Sequence, residues 1–249
     1  MSSAPDPLLL PQPARLVLTG GRWTCRHAAG SCLRISVQPA EALAAQANLL
    51  AGYLRAENHL DAATGLAGGG DIHLALSLPA RPLPPKLAEA CFADEAHRLT
   101  VTPEQIRIEA ATPAGIAFGI QSLRQLLSGQ RDRLAVSCMV VDDAPALGWR
   151  GLHLDVSRHF RDADDVKRFI DLAAFHKLNL FHWHLTDDQG WRLPVEGYPL
   201  LTTVAAWRDG TLVGHDCDRD KNPTDGVRHG GSYTAEEIRD IVAHAAARG

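Results

Sequence analysis

The fold of this chain is decided by residues 149–191, which read WRGLHLDVSRHFRDADDVKRFIDLAAFHKLNLFHWHLTDDQGW. Apolar and polar side chains alternate through 149–156 and again through 179–186, so each segment predicts a strand. Between them, residues 162–178 repeat apolar side chains at the spacing of one helix face. A strand, a helix and a second strand within about 40 residues predict a βαβ unit, whose strands run parallel through a right-handed crossover.

A further helix is predicted near the end of the sequence. Thr234 and Glu237 have the spacing of a capping box, and the apolar residues after them repeat at helical intervals. The order strand, helix, strand, loop, helix fits the first two repeats of a (β/α)8 barrel. It also fits a doubly wound sheet, and periodicity alone does not separate the two. We therefore predict a second domain, residues 146–249, that begins a parallel α/β fold.

The residues before this unit, 14–142, predict a separate α+β domain. Their order is strand, helix, strand, strand, strand, helix, strand, which favours helices on one face of a mostly antiparallel sheet. The strands are predicted at 33–37, 71–77, 97–102, 105–111 and 135–141, and the first helix at 41–57. Thr112 and Pro113 predict the start of the second helix, because a capping hydroxyl precedes proline at the first helical position. The histidines of this domain are isolated, so we predict a structural role for it.

Composition narrows the class of protein. Hydrophobic residues make up 45% of the 249 residues and charged residues 22%, as in ordinary globular proteins. The net charge of −4 and the scattered basic residues favour neither nucleic acid nor a membrane as a partner. Five cysteines without a CxxC pattern argue against a disulfide framework and a zinc knuckle. The first residues lack a basic start and a long apolar core, so we expect a cytoplasmic chain, with export in another form as the alternative.

Charged side chains follow both strands of the βαβ unit at their carboxyl ends. Arg158 comes two residues after Val156, and Asp187 follows the second strand. Parallel folds form pockets beyond their strand ends, and neighbouring strands lie ~4.8 Å apart, so both side chains can reach one cavity. A guanidinium and a carboxylate suit a polyhydroxylated ligand, because both bind hydroxyl groups through charge-assisted hydrogen bonds. The alternative is that Arg158 and Asp187 only pair with each other.

Two histidines of the second strand, His182 and His184, share one face because they are two residues apart. With Asp187 nearby they would suit a metal site, but the sequence specifies neither a third ligand nor a partner that orients the rings. We therefore favour a polar lining of the barrel interior or pocket floor, and predict neither a metal nor a cofactor. Trp183 falls on the opposite face, toward the helix layer.

Long segments of the chain resemble a known family: RGLHLDVSRHF, KLNLFHWHLTDDQGWRLPVEGYPLLT and GGSYTAEEIRDIVAHAAARG. They closely resemble the family 20 glycoside hydrolases, the β-N-acetylhexosaminidases, and EQIRIEAATPAGIAFGIQSLRQLL resembles the end of that family's N-terminal domain. The resemblance implies an α+β domain followed by a (β/α)8 barrel. It also implies removal of terminal N-acetylglucosamine or N-acetylgalactosamine from β-glycosides with retention. The implied mechanism is substrate-assisted, with the 2-acetamido oxygen of the sugar attacking the anomeric carbon.

The resemblance also assigns site residues. Arg158 matches the arginine that holds the hydroxyls of the terminal sugar. Asp187 matches an aspartate that supports the catalytic network through a later histidine. His184 and Asp188 are expected to shape the base of the pocket. The implied partner is a small-molecule substrate, an oligosaccharide that ends in N-acetylhexosamine, and the oligomeric state is left open.

The catalytic Asp-Glu pair of that family has no match in this sequence, because Asp94-Glu95 lies in the first domain. We expect the pair beyond residue 249 and a barrel truncated after about two β/α repeats, which would leave the chain inactive alone. The alternatives are a non-catalytic carbohydrate-binding remnant and a different barrel hydrolase.

Overall fold

The computed structural model describes residues 8–25, 32–66, 69–77, 93–131, 134–214 and 223–249. The chain divides into two compact units. Unit 1 takes in Met1–Arg150, Leu172–Asn179 and Ala247–Gly249, and unit 2 takes in Gly151–Asp171 and Leu180–Ala246. Among the described residues, every helix is too short or too polar to span a lipid bilayer. Cys25, Cys32 and Cys138 are free cysteines, whereas Cys91 and Cys217 lie outside the described residues.

Unit 1 is built on a mixed sheet. Its strands are β1 Arg15–Thr24, β2 Leu33–Gln38, β3 Ala62–Leu66, β4 Ile72–Leu76, β5 His97–Val101, β6 Ile106–Ala110 and β7 Ala135–Asp143. Across the described residues their order in space is β1-β7-β5-β6-β4-β2-β3. The pairs β1–β7, β7–β5 and β5–β6 are antiparallel, and the pairs β6–β4, β4–β2 and β2–β3 are parallel. The prediction of a mostly antiparallel sheet is therefore wrong.

The connections explain why the sheet is mixed. Helix α1, Ala44–Asn58, joins β2 to β3. A helix between two strands returns the chain to the end from which it started, so β3 lies parallel to β2. By contrast, the short turn at Pro103-Glu104 joins β5 to β6 directly, and this hairpin is antiparallel.

The sequence pattern predicts neither β1 nor β3. In β1, Gly20 and Gly21 have φ angles of 82° and 87°, and the pairing with β7 shifts register between Leu18 and Arg22. Such an irregularity interrupts the alternation by which strands are recognised, and β1 is an edge strand whose side chains are mostly exposed.

Helices α1 and α2, Pro113–Leu127, pack on one face of the sheet, as predicted. They also contact each other. Gly119 allows α2 to approach the sheet closely, because a Cβ at that position would lie 2.4 Å from Ile108 Cγ2. The predicted start of α2 is confirmed, since Thr112 Oγ1 accepts a hydrogen bond from the Gly115 amide at 3.1 Å.

Polar contacts attach a segment of the βαβ region to the sheet within unit 1. Lys177 Nζ donates to Asp143 Oδ2 at 2.6 Å, and both side chains are buried. Glu95 pairs with Arg150 and accepts a hydrogen bond from Asn179 Nδ2 at 3.0 Å. The Asn179 amide also donates to the Arg150 carbonyl at 3.0 Å. These contacts fix the two residues, Arg150 and Asn179, that immediately precede the strands of the βαβ region.

The structure confirms the βαβ region. Strand β8, Gly151–Asp155, lies parallel to β9, Leu180–His184, and α3, Ala163–Phe175, lies between them in the chain. The later elements are β10 Thr186–Asp187, β11 Gly190–Trp191, α4 Leu200–Thr203, β12 Trp207–Arg208, β13 His229–Gly230 and α5 Ala235–Ala246. The core of unit 2 includes Val156, Ile170, Tyr233 and Ile241.

The predicted capping box is also present at the start of α5. Thr234 Oγ1 accepts a hydrogen bond from the Glu237 amide at 3.1 Å, and Glu237 Oε2 accepts one from the Thr234 amide at 2.7 Å. Each side chain therefore satisfies a backbone donor that the first turn of the helix leaves unpaired.

Candidate functional site

A polar network occupies the carboxyl ends of β8 and β9. Asp155 and His184 are the last residues of the two strands and lie opposite each other in the register. Arg158 lies in the turn after β8, and Asp187 ends the short strand β10 that follows β9. Arg158 Nη1 lies 2.5 Å from Asp187 Oδ2 and 3.1 Å from Asp155 Oδ2. The structure thus brings Arg158 and Asp187 together, and it adds Asp155, which the sequence analysis did not single out.

His184 joins the same network. Its Nε2 lies 2.9 Å from Asp187 Oδ2 and 3.3 Å from Arg158 Nη1. A guanidinium only donates hydrogen bonds and an ionised carboxylate only accepts them, so the shorter contact favours a proton on Nε2 that is donated to Asp187. Asp187 therefore holds both Arg158 and His184 through one oxygen.

The turns around the network are shaped by the same carboxylates. Asp155 Oδ1 accepts hydrogen bonds from the amides of Ser157 at 2.9 Å and Arg158 at 3.0 Å, as in an Asx turn. Asp187 Oδ1 accepts the amide of Asp188 at 2.8 Å. Each carboxylate therefore uses one oxygen to fix the backbone and the other to hold Arg158. Asp188 contributes its amide to the network, and its side chain is exposed.

These contacts keep the charged groups ionised. The Asp188 amide is the largest influence on Asp187, and together with His184 and the charge of Arg158 it lowers the pKa of that carboxyl. Burial raises the pKa of Asp155, but the amide and the charge of Arg158 outweigh it, and the pKa is lowered overall. Burial lowers the pKa of Arg158, but Asp155 and Asp187 raise it further, so the guanidinium stays cationic.

The network is accessible to a ligand. The side chain of Arg158 is 39% exposed and that of Asp187 is 31% exposed. The contacts of Arg158 with Asp155, Asp187 and His184 all use its Nη1 atom. Among the described residues, no hydrogen bond uses Nε or Nη2 of Arg158, so these nitrogens remain available as donors.

Arg192 supports the backbone that leads into this network. The residue is fully buried, and its guanidinium donates to the carbonyls of Val156 at 2.9 Å and Ser157 at 2.7 Å. It also donates to the carbonyls of Ala206 and Gly231. Arg192 thus links the two residues immediately before Arg158 to distant segments of unit 2.

The sequence analysis missed Arg192 and Arg208. Arg208 Nη1 donates to the carbonyl of Arg158 at 2.7 Å. The sequence carries only a weak signal for Arg192, which follows Trp191 in the largely apolar run WRLPV. A cation in an apolar run predicts that it has hydrogen-bond partners, but it does not show which residues they are.

Three histidines lie side by side on one face of the β8–β9 pair within the described residues. One ring nitrogen from each of His153, His182 and His184 lies within 4.8 Å of the others. The prediction that His182 and His184 share a face is confirmed, with ring centroids 6.0 Å apart. His153 joins them because it pairs with His182 in the strand register. Trp183 packs on Tyr233, with centroids 4.7 Å apart, in the core on the other side.

Comparison with known proteins identifies the family. The model described as glycosyl hydrolase family 20, domain 2, matches residues 6–144. The model described as glycosyl hydrolase family 20, catalytic domain, matches residues 147–249. The chain belongs to glycosyl hydrolase family 20. The resemblance of its sequence motifs to that family is thereby confirmed.

Named relatives of this family 20 chain are beta-hexosaminidases. It is 43% identical over 160 residues to the beta-hexosaminidase of Akkermansia muciniphila and 41% identical over 157 residues to that of Vibrio furnissii. Each match covers 62% of this chain, but only 29% and 24% of the relatives. The chain therefore spans less than a third of the length of these curated relatives.

Solved family 20 structures resemble the whole chain. The exo β-N-acetylglucosaminidase of Vibrio harveyi in complex with N-acetylglucosamine has a TM-score of 0.73 and 31% identity, covering 100% of this chain and 36% of that one. The N-acetyl-β-hexosaminidase of Streptomyces plicatus in complex with Thio-NAglucal has a TM-score of 0.76 and 30% identity, covering 98% and 44%. These similarities support an N-terminal domain followed by the start of a TIM barrel, rather than a doubly wound sheet.

Proposed function

We propose that this family 20 chain carries the sugar-holding part of a β-N-acetylhexosaminidase, in which Arg158 and Asp187 hold the terminal N-acetylhexosamine of a β-glycoside. The observation that carries the proposal is the network of Arg158, Asp155, Asp187 and His184 at the ends of two parallel strands. The names of the relatives and the N-acetylglucosamine in the Vibrio harveyi neighbour support this substrate class.

The charges of the network suit a neutral sugar. Asp155 and Asp187 together carry two negative charges against the one positive charge of Arg158, so a phosphate or carboxylate ligand would be repelled. A sugar hydroxyl, in contrast, can accept a hydrogen bond from the guanidinium and donate one to a carboxylate. His184 and Asp188 would then form the polar base of the pocket.

The same network does not supply the proton that glycoside cleavage requires. A general acid works best with a pKa near the working pH, whereas the pKa values of Asp155 and Asp187 are lowered. Glu95 is bound to Arg150 and Asn179 in unit 1. We therefore propose that these 249 residues bind the sugar without cleaving it. The retaining, substrate-assisted reaction would require an Asp-Glu pair at the sugar, and the Asp94-Glu95 pair of this chain belongs to unit 1.

Sugar binding tests the first part of the proposal. Isothermal titration of the purified chain with N-acetylglucosamine should show binding that Arg158→Gln weakens by about tenfold or more, because charge-assisted hydrogen bonds are lost. Arg168→Gln is the matched control, since that side chain is 72% exposed and pairs with Asp165, three residues before it. Equal affinity in the Arg158→Gln protein, with an unchanged circular dichroism spectrum, would overturn the assignment.

Hydrolysis tests the second part. The purified chain should release no p-nitrophenol from p-nitrophenyl N-acetyl-β-glucosaminide above the solvent background. Release that disappears in the Arg158→Gln protein would show catalysis by this chain and overturn the statement. Using that variant separates genuine turnover from a contaminating enzyme.

A non-catalytic carbohydrate-binding remnant is the second candidate. It is favoured because the proposed sugar-binding network does not supply a general acid. The coding DNA beyond codon 249 discriminates between the candidates. An open frame that encodes an Asp-Glu pair supports the hexosaminidase, and a stop codon supports the remnant.

A further inference from the structure

The parallel register of β8 and β9 gathers imidazole groups on one face. His153 lies opposite His182, and Asp155 lies opposite His184. Side chains two residues apart on a strand point to the same side, so His182 and His184 flank the position of His153. The ring centroid of His153 lies 4.6 Å from that of His182 and 5.6 Å from that of His184. His153 and His182 are exposed and His184 is half-buried, so solvent reaches the group.

The spacing of these rings is close to that of a metal site. One nitrogen from each histidine lies within 4.8 Å of the others. Even if all three separations had that upper value, the centre of the triangle would lie about 2.8 Å from each nitrogen, compared with Zn–N bonds of about 2.0–2.1 Å. To bind a metal ion at that centre, each nitrogen would have to move inward by less than about 1 Å. Small changes of the side-chain torsion angles provide such a movement.

The surrounding charges favour a cation. Asp187 is within 2.9 Å of His184, and Asp155 ends the strand that carries His153. Arg158 is the opposing positive charge, 3.3 Å from His184 Nε2. Two carboxylates against one guanidinium leave a net negative charge beside the imidazoles. Metal-binding histidines are commonly oriented by carboxylates, and Asp187 provides such a partner.

We propose that His153, His182 and His184 bind one transition-metal ion of the class that imidazole prefers, with Zn²⁺ as the principal candidate. Three protein nitrogens and an open fourth position form a tetrahedral arrangement that Zn²⁺, Co²⁺ and Ni²⁺ can use, whereas Mg²⁺ and Ca²⁺ prefer oxygen ligands. The sequence leaves the third ligand undefined because His153 is about thirty residues from the other two. The strand register supplies it.

The experiment is a metal titration of the purified 249-residue chain without an affinity tag, after treatment with a chelator. Calorimetry with Zn²⁺ should give one site per chain, and Co²⁺ should give the intense visible absorption of tetrahedral coordination. His153→Gln and His182→Gln should each weaken Zn²⁺ binding by about tenfold or more, because a ligand is removed. Mg²⁺ should not bind.

His176→Gln is the matched control, because His176 is an exposed histidine outside the group. It should leave the affinity unchanged, and circular dichroism should show that all three variants keep the fold. Absence of Zn²⁺ binding, or equal losses in the control and the two ligand variants, would overturn the proposal. The sugar assignment is tested separately through Arg158, so failure of one leaves the other standing.

Discussion

Replacing Arg192 by methionine should destabilise unit 2 and loosen the turn that presents Arg158. The arginine is fully buried, and its guanidinium serves backbone carbonyls from separate segments. These are the carbonyls of Val156, Ser157, Ala206 and Gly231. Methionine fills much of the same space but donates no hydrogen bond, so the change removes the polar contacts with a modest loss of volume.

The size of the effect follows from the carbonyls that lose their donor. The Ala206 carbonyl keeps the Gly231 amide as a donor at 3.2 Å, so the carbonyls of Val156, Ser157 and Gly231 are left without one. A buried acceptor left unpaired costs about 1–3 kcal/mol, so these three would cost about 3–9 kcal/mol. The substitution also removes a buried cation, whose pKa is lowered by burial and by the neighbouring Arg208 charge. Because the cost of desolvating that cation is removed with it, several kcal/mol of the loss are offset. We expect a net loss of about 3–5 kcal/mol in the free energy of unfolding.

Urea denaturation followed by tryptophan fluorescence measures this loss, because Trp183 and Trp191 lie in unit 2. With a slope of about 2 kcal/mol/M, the midpoint should fall by about 2 M. Arg168→Met, on an exposed surface, is the control and should leave the urea midpoint nearly unchanged. A shift for Arg192→Met no larger than that of the control would refute the reasoning.

Other predictions concern pH and a buried ion pair. Sugar affinity should stay level from pH 7 to about pH 4 and fall below about pH 4. The reason is that the pKa of the Asp187 carboxyl is lowered, so its charge is lost only under acid conditions. Calorimetry that shows the affinity falling with a midpoint near pH 6 would contradict this. Burial, followed by the charge of Lys177, lowers the pKa of His97 to about 4, so the folded state resists protonation. The free energy of unfolding should be highest above about pH 6.5 and fall by about 3 kcal/mol toward pH 4, a slope that His97→Asn should flatten in urea melts. Lys177→Met leaves Asp143 buried without its cation and should cost about 3–5 kcal/mol. Lys167→Met, which removes a solvent-screened ion pair, should leave the urea midpoint nearly unchanged in the same assay.

Local patterns in the sequence determined much of the scaffold. The period of the apolar residues predicted the parallel βαβ region, and the caps at Thr112 and Thr234 predicted two helix starts. Each strand, helix and cap depends on residues within about four positions of each other, so a single segment contains the information that predicts it. Arg158 and Asp187 were found for a similar reason, since both come within two residues of the end of a predicted strand.

Tertiary structure alone decided how those segments meet. Contacts between distant residues decide the parallel pairs of the unit 1 sheet and the carbonyls that Arg192 binds. They also decide the place of Asp155 in the polar network and the pairing of His153 with His182. A periodic pattern shows which side of a strand is buried, but not which residue of another strand lies opposite it. The sequence by itself therefore determined the longer helices, most of the longer strands and the family resemblance, and the register between strands decided which side chains share a site.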